Sequence, residues 1–541
     1  MPAQAGRTQV GRYKCFWEVN EGMTMKTLSR FALAAALGAA LSTTALAAPP
    51  DNTVVVGLSA DASTFDPAQI SSRDNSNIAK HIFATLFKVN FEGEVEPYLV
   101  DDTKVSDDGL AYTFTVKEDL TCDDGEALTA EDVAYSFNRA ADPANAFTGN
   151  TPGFVYTTLG FKSAEVVDDL NVQINLSAKT TLALGMMAQV FIHCKDSYEK
   201  MTLEEAAATP IGSGSYRLAS WDRGSQIVLE KVKDPGTFDT IIWRIIPEAS
   251  TRTAELIAGN VDIITNVAPD QVGAIDSSGS ATVAKVSGTR RMQIGFNLGE
   301  GVAGMPGAEE IQDPKVRWAL QYAVDVPSIC TQLLGTECTR MTSLVNPPND
   351  NPELQPVPYD PDMAEKLLDE AGYPRGENGV RFSIRLQGPR GRYLNDANVV
   401  QAIGQYLTDV GVETEVELLE WASVYSPLLR TKEMGPLFFL GQGGVTWNPL
   451  YDMSLFSTPE AATNYQSWKD PRWFEDWKLA LAADTVEEAR PIINRMLKLF
   501  YEEGPWLQLY FQPDFYGVSN RLDWTPRRDE EIELFAATLK Q

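Results

Sequence analysis

Strand signals and helix signals alternate along nearly the whole chain, and this alternation restricts the fold more than any other feature. Residues 241–247 (IIWRIIP) have the apolar, β-branched character of a buried strand, and residues 251–258 read as a helix. Gly259 and Asn260 can end that helix in the left-handed conformation, and residues 261–264 (VDII) return as a strand. Because a strand, a helix and a second strand in this order are typical of a crossover unit, the sequence predicts an α/β protein.

The length of the chain requires more than one domain. Its 541 residues exceed the roughly 250 to 300 over which a single hydrophobic core grows. Apolar residues make up 44% and aromatic residues 10%, which argues against a disordered chain. We find neither an internal repeat nor a long low-complexity linker, and we therefore expect two or three domains.

Residues 25–47 have the order of an export signal. A basic start and an apolar run precede the small residues of the cleavage site at 45–47. We therefore expect a mature chain that begins near Ala48 and lies in the periplasm. The apolar run is too short for a permanent membrane span, and no cysteine follows it to carry a lipid anchor. Residues 1–24 precede the basic start, and we interpret them as the product of a start codon assigned too far upstream.

The charge of the chain excludes two classes of partner. It has 74 acidic residues against 45 Lys and Arg, a formal net charge of −29. Such a surface repels nucleic acid and anionic lipid. We expect neither as a partner.

Four of the five cysteines follow the expected cleavage site, and an even number in an exported chain suggests disulfides. Cys330 and Cys338 are near enough in sequence to close a small loop. We favour the pair Cys330–Cys338 and, by elimination, the pair Cys122–Cys194. Four free buried thiols are the alternative, and the absence of CxxC or Cys/His spacing disfavours zinc.

The sequence offers little material for catalysis. His81 and His193 are its only histidines, and the motifs GxSxG, HExxH and GxxxxGK[ST] are absent. We predict a surface or packing role for His81. The many carboxylates leave a secreted hydrolase, for example of glycosides, as an alternative of another class. Our prediction is a protein that is not an enzyme and that uses no cofactor and no metal ion.

Several stretches, in a fixed order along the chain, resemble one family. They include VVVGLSADASTFDPAQ at 54–69 and PIGSGSYRLASWDRG at 210–224. The others are at 105–140, 246–263, 294–298, 313–326 and 359–374. The chain resembles the family 5 extracellular solute-binding proteins of ABC importers, which bind dipeptides, oligopeptides or nickel.

The resemblance implies a large, three-subdomain clamshell with two lobes. It assigns residues 48–80, 210–289 and 509–541 to the core of lobe I, 81–209 to an accessory subdomain of lobe I, and 290–508 to lobe II. The two hinge crossings would lie near 290–296 and 506–510. A monomer would close over its solute and then dock on the permease subunits of an ABC transporter.

The resemblance also places the ligand cleft at three loops. Candidate contacts are Ser59 and Phe65 in the first, Arg390, Arg392 and Tyr393 in the second, and Gln442, Gly443, Gly444, Val445, Trp447 and Asn448 in the third. Arg392, with Arg390 as second choice, can bind a ligand carboxylate through two parallel hydrogen bonds. A solvated loop arginine is the alternative.

Three further candidates lie outside these loops. Trp421 follows a strand and can wall the cleft, although core packing is an alternative with at least the same weight. Arg290 and Phe296 belong to the expected first crossing. Because neighbours on an extended strand face opposite sides, only one of Arg290 and Arg291 should face the cleft.

The third loop departs from the pattern of the peptide binders. Those proteins usually have Trp-x-x-Asp there, and the Asp pairs with the α-ammonium group of the ligand. Gln442 and Val445 occupy these two positions here. A different acid can substitute, or the ligand can lack a free amine, as a blocked peptide, an oligosaccharide or an opine-like compound does. Among these ligands, we rank a small peptide or peptide-like solute first. A chaperone or signalling role on the same scaffold is a third hypothesis for the function, after the solute receptor and the hydrolase.

Overall fold

The computed structural model describes residues 52–444 and 446–540, apart from the side chain of Ala422. The expected export signal, its cleavage site and Cys15 lie outside these residues. The strands are β1 Thr53–Leu58, β2 Phe87–Val89, β3 Val95–Pro97, β4 Val100–Val105, β5 Ala111–Val116, β6 Phe161–Val166, β7 Asn171–Leu176, β8 Tyr216–Asp222, β9 Gln226–Lys231, β10 Thr240–Ile245, β11 Ile263–Ile264, β12 Ala281–Phe296, β13 Phe382–Arg390, β14 Val412–Glu420, β15 Leu437–Gln442, β16 Trp506–Ser519, β17 Leu522–Asp523 and β18 Thr538–Leu539.

The helices lie between these strands. They are α1 Arg73–Ile82, α2 Ala130–Ala141, α3 Tyr156–Leu159, α4 Ala183–Met187, α5 Lys195–Tyr198, α6 Leu203–Ala208, α7 Ala249–Ile257, α8 Val272–Ser277, α9 Pro314–Tyr322, α10 Val326–Leu333, α11 Pro361–Glu370, α12 Asp396–Asp409, α13 Ser426–Thr431, α14 Pro449–Met453, α15 Pro471–Ala482 and α16 Val486–Glu503. Short π-helical turns precede α3 and α13.

A ten-stranded mixed sheet is the centre of the molecule, in the order β14-β13-β15-β12-β16-β11-β1-β10-β9-β8. The predicted crossover at 241–264 is confirmed, since β10, α7 and β11 follow one another and both strands are parallel to β1. All six residues of β1 are buried. Parallel neighbours on both sides explain its uninterrupted apolar sequence, because such strands have no solvent-facing side. The predicted α/β class is correct.

Two long antiparallel strands, β12 and β16, divide the sheet in two. Residues 281–287 of β12 pair with 513–519 of β16, whereas residues 291–295 pair with 506–511, and the register shifts between these stretches. We call β1 and β8–β11 the N-terminal half of the sheet and β13–β15 the C-terminal half. Gly288 lies in the break, where an added Cβ would come within 2.4 Å of the Asp514 carboxylate, so that only glycine fits. The lobe boundaries expected from the resemblance stay a prediction.

A separate four-stranded antiparallel sheet, β4-β5-β7-β6, packs with α2. The alternating sequence AYTFTV at 111–116 predicts a strand, and β5 occupies these residues with the alternating burial of a half-buried strand. The sequence TAED at 129–132 predicts a capping box at the start of a helix, and α2 has one. The Thr129 N–H donates to the Asp132 carboxylate at 2.7 Å, and the Thr129 hydroxyl accepts from backbone N–H groups of the first turn.

Both favoured disulfides are confirmed. Cys122 and Cys194 are joined with their Cα atoms 6.2 Å apart, and Cys330 and Cys338 with theirs 5.9 Å apart. The first links two segments 72 residues apart in sequence, and the second links Cys330 within α10 to Cys338, eight residues further along the chain. The first therefore constrains the unfolded chain more than the second.

Helix α1 begins earlier than its apolar spacing indicated. The sequence predicts a helix over 78–87, but the structure has it over Arg73–Ile82, because the Ser72 hydroxyl caps it by accepting from the Asn75 N–H at 3.3 Å. His81 takes the packing role: it is 1% exposed, and its ring centroid lies 4.9 Å from that of Phe535. The earlier start places Arg73 and Asp74 in the first turn of α1.

Candidate functional site

A cavity of about 880 Å³ is lined by both halves of the ten-stranded sheet. From the N-terminal half come the loop after β1 and the first turns of α1. From the C-terminal half come the loop between β13 and α12 and the end of β15. Strands β12 and β16 contribute where their register breaks, together with the segment at 530–531. A molecule in this cavity would touch both halves at once.

The structure brings half of the candidate residues together on this wall. They are Ser59, Arg290, Arg392, Tyr393, Trp421, Gln442 and Gly443. Arg291 lines the cavity as well, so the strict alternation expected for an extended strand does not hold. The reason is the register shift of β12 on either side of Arg291, which disturbs the pleat.

Three candidates from the first two loops and the crossing do not line the cavity. Phe65 is fully buried, with its ring 4.7 Å from that of Trp221. Phe296 is fully buried within the core. Removal of an apolar phenyl ring from water lowers the free energy of the folded protein, which explains why both rings lie in the interior. Arg390 ends β13 as an exposed side chain off the cavity wall.

The third loop also contributes less than the resemblance implied. Gly444 approaches Asp452 rather than the cavity, since a Cβ there would lie 2.5 Å from the carboxylate. Trp447 packs over Gly93, and Asn448 caps α14 by accepting from the Leu450 N–H at 2.9 Å. Val445 lies outside the described residues.

Arg290 and Glu530 form a two-pronged ion pair on the wall. Arg290 Nε donates to Oε1 at 2.6 Å and Nη2 to Oε2 at 2.5 Å. Burial acts to raise the pKa of Glu530, but the adjoining Arg290 guanidinium outweighs it and holds that pKa at about 2. The Arg290 guanidinium is therefore already paired with Glu530 and is not free to bind a ligand.

Glu531 is held in a similar way by α1. It accepts from Arg73 at 3.1 Å and also pairs with Lys80. Burial acts to raise its pKa, and the opposing charges of Lys80, Arg73 and Arg527 hold it at about 2. The segment at 530–531 thus neutralises cations from both α1 and β12.

The loop before α12 presents Arg392 differently. The Asp396 carboxylate accepts backbone N–H bonds from Arg392 at 2.7 Å and Tyr393 at 3.0 Å, and these hold the loop. The guanidinium carbon lies 5.2 Å from the Tyr393 ring centroid and 5.4 Å from that of Trp421. Within residues 52–444 and 446–540, no acidic side chain pairs with the Arg392 guanidinium. It is the candidate best placed to bind an anion.

Two aspartates on the wall were not among the candidates. Asp74 is half-buried in the first turn of α1, and burial raises its pKa, opposed by Arg392. Asp514 is 7% exposed on β16, and burial together with Glu530 raises its pKa well above the usual range. Gln512 donates to Asp514 Oδ1 at 3.3 Å, whereas Oδ2 has no partner in the described part of the chain.

Sequence reasoning missed the acids because their local signals indicate other roles. Asp74 would have been found from the cap at Ser72, which marks the true start of α1. Glu530 and Glu531 belong to a C-terminal tail without any local motif, and they reach the cavity only by long-range packing. No cluster of three or more His, Cys, Asp or Glu side chains suited to a metal ion occurs among the described residues.

Comparison with known proteins identifies the family. Residues 94–464 match the family described as bacterial extracellular solute-binding proteins, family 5 Middle. The chain belongs to this family. The resemblance inferred from the sequence is confirmed, and with it the solute-binding role.

Relatives extend the match over most of this family 5 protein. The glutathione-binding protein GsiB of Escherichia coli O1:K1 / APEC is 25% identical over 492 residues, covering 88% of this chain and 92% of that protein. The structure of DppA from Helicobacter pylori with the peptide STSA has a TM-score of 0.77 at 20% identity, covering 90% of this chain and 98% of that one. AgaA from A.tumefacien R10 with agropinic acid has a TM-score of 0.75 at 20% identity, covering 90% and 99%. The two-lobe fold is thereby confirmed.

Across the part of the chain that the structure describes, every helix falls short of the length and apolar character needed to cross a bilayer.

Proposed function

We propose that this family 5 protein is a periplasmic receptor that captures a small peptide or peptide-like solute in the cavity and delivers it to an ABC-type importer. The observation that carries the proposal is the guanidinium of Arg392, which two aromatic rings hold on the cavity wall and which no acid of the described residues neutralises. Such a group can fork onto a ligand carboxylate, and every free peptide has one. The relatives named for glutathione and crystallised with a peptide support this class of ligand.

Capture would work through closure of two lobes. We assign residues 48–80, 210–289 and 509–541 to lobe I, 81–209 to its accessory subdomain, and 290–508 to lobe II. The break in the β12–β16 register supports a hinge at this crossing. A solute that contacts both halves of the sheet favours the closed state by its additional contacts there. Small-angle scattering should show a more compact particle after the solute is added.

Residues 25–47 would direct export to the periplasm, and cleavage would leave Ala48 at the N-terminus. N-terminal sequencing of protein from a periplasmic extract tests this directly. The receptor would act as a monomer, without enzymatic activity, and would hand its cargo to permease subunits. Deletion of its gene should abolish uptake of the cargo.

Identification of the cargo is the decisive experiment. Protein purified without denaturation should release, in native mass spectrometry, a co-purified mass that matches a small peptide or a related acid. The same protein unfolded, washed and refolded should lack this mass and regain it from a cell extract. An oligosaccharide or opine mass would change the ligand class but keep the receptor. Steady conversion of the cargo into product would overturn the proposal in favour of a hydrolase.

Arg392→Gln tests the residue on which the proposal rests. We expect the affinity for the co-purified solute to fall about 10- to 100-fold, because a hydrogen bond to a charged group contributes about 1.5 to 3 kcal/mol. Calorimetry on the refolded protein measures it. Arg390→Gln is the matched control, since Arg390 lies two residues away and is exposed off the cavity wall. Equal losses in the two variants would contradict the role of Arg392.

A further inference from the structure

Among the described residues, five acidic side chains line the cavity, and the protein already supplies donors to four of them. Asp61 accepts from the Trp221 indole N–H at 3.0 Å and from the Gly224 N–H at 2.8 Å. The two glutamates form the ion pairs given above, and Asp514 accepts from a glutamine. Asp74 is the exception. In residues 52–444 and 446–540, no donor makes a hydrogen bond or an ion pair with its carboxylate.

The cations of the cavity divide in the same way. Arg73, Lys80 and Arg290 pair with the two glutamates. Arg291 is 1% exposed and pairs with Asp452 at 2.5 Å. Arg430 is exposed and donates to the Ser426 hydroxyl at 2.8 Å. This leaves Arg392 as the half-buried cation that no acid of the described residues neutralises.

Asp74 and Arg392 come from opposite halves of the molecule. Asp74 lies in the first turn of α1, beside the N-terminal half of the sheet, and Arg392 lies on the loop between β13 and α12 of the C-terminal half. They form no ion pair with each other; burial raises the pKa of Asp74, and the Arg392 guanidinium opposes this. Two opposite charges therefore line the same cavity, and neither has an ion-pair partner in the described part of the chain.

We infer that the cavity selects zwitterionic solutes, with Asp74 receiving the ammonium group of the ligand while Arg392 binds its carboxylate. The inference rests on the proposed function and narrows its ligand class. Free peptides and amino-acid derivatives carry both charges. Oligosaccharides and N-acylated peptides lack the cation, so they would leave a half-buried carboxylate without a partner, which costs free energy.

The charges around Asp74 give this selection a pH dependence. Burial raises the pKa of Asp74, Glu530 raises it further, and Arg392, Arg290 and Arg73 lower it. Arg252, on α7, is also near enough to Asp74 for their charges to interact. A bound ammonium ion would favour the ionised form. The affinity for an amine-bearing ligand is thus full above the raised pKa of Asp74 and falls as the pH drops through it.

The test is a set of matched probes. Calorimetry would compare glutathione and trialanine with their N-acetylated and C-amidated forms, on refolded full-length mature protein. We expect the wild type to bind each free form at least tenfold more tightly than either blocked form. Asp74→Asn should bind free and N-acetylated forms almost equally, but should still discriminate against the amide. Arg392→Gln should show the reverse pattern.

Controls separate this inference from the proposed function. Asp107→Asn removes the same charge from an exposed turn outside the cavity and should keep both wild-type ratios. Asp74→Ala, with an unchanged melting curve, guards against an effect specific to asparagine. If Asp74→Asn prefers the free over the N-acetylated form by the same ratio as the wild type, the inference is overturned. The proposed function as a receptor is not affected by this result. A wild type that binds none of these probes overturns the inference and the peptide class of ligand, and only conversion of the co-purified cargo into product would overturn the receptor itself.

Discussion

Two pairs of opposite charges use the same residue types in contrasting ways. In the interior, Arg139 of α2 donates to both oxygens of Asp66, at 3.0 and 2.6 Å, and the two side chains are 7% and 1% exposed. On the cavity wall, Asp74 and Arg392 form no ion pair with each other or with any other side chain of the described residues. The interior pair links α2, which packs on the four-stranded sheet, to the loop after β1. The cavity pair makes no such link before a solute binds.

The contrast shows that burial, rather than residue type, separates a structural charge from a binding charge. A charge withdrawn from water must be paired, since an unpaired ion in the interior is costly. A charge on a water-filled cavity keeps part of its hydration and can stay open for a ligand. Removal of a structural charge should therefore lower the free energy of unfolding, and removal of a binding charge should lower affinity.

The largest effect is expected from Arg139→Met. This change leaves Asp66 buried without its cation and should lower the free energy of unfolding by about 3 to 5 kcal/mol. Urea denaturation followed by tryptophan fluorescence measures it. The control is Arg217→Met, whose partner Glu230 lies at 2.8 Å but whose side chain is 54% exposed. There we expect a loss below about 1 kcal/mol. Similar losses in both variants would break the comparison.

A smaller effect is expected from Glu530→Gln. Glu530 lies on the cavity wall, as Asp74 and Arg392 do, but it is paired, as Arg139 and Asp66 are in the interior. The pKa of Glu530 is lowered from 4.5 to about 2, so its stabilising contribution is present above pH 4.5 and is lost as the pH falls towards 2. The variant should be roughly 2 to 3 kcal/mol less stable than the wild type at pH 7. This difference should shrink towards pH 2. Parallel stability curves over the whole range would contradict the ion pair with Arg290.

The smallest effect, of opposite sign, is expected from Asp514→Asn. Burial raises the pKa of Asp514, so its folded form is stabilised below the ordinary pKa and loses stability as the pH rises. The variant should therefore gain about 1 kcal/mol at pH 8 and nothing at pH 3, since it removes a buried carboxylate oxygen without a partner. A loss at pH 8 would mean that Asp514 is ionised and paired in solution.

Local signals predicted those features that depend on near neighbours in the chain. The capping box at Thr129, strand β5 and the pairing of Cys330 with Cys338 each involve residues close in sequence. The start of α1 was wrong because its apolar spacing begins only after the first turn. Phe65 and Phe296 belong to matching stretches of the family, yet burial in the core separates them from the cavity.

From the sequence alone came the α/β class, the expectation of export, both disulfides and the family, all of which depend on short-range patterns or on their order. Only the tertiary structure decided which charged side chains lack an ion-pair partner and can therefore bind a ligand. Arg290 is neutralised by Glu530, 240 residues away, and nothing local distinguishes it from Arg392. A charge is free or paired according to what long-range folding brings within about 3 Å of it, and hydrophobic packing determines those neighbours without regard to sequence distance.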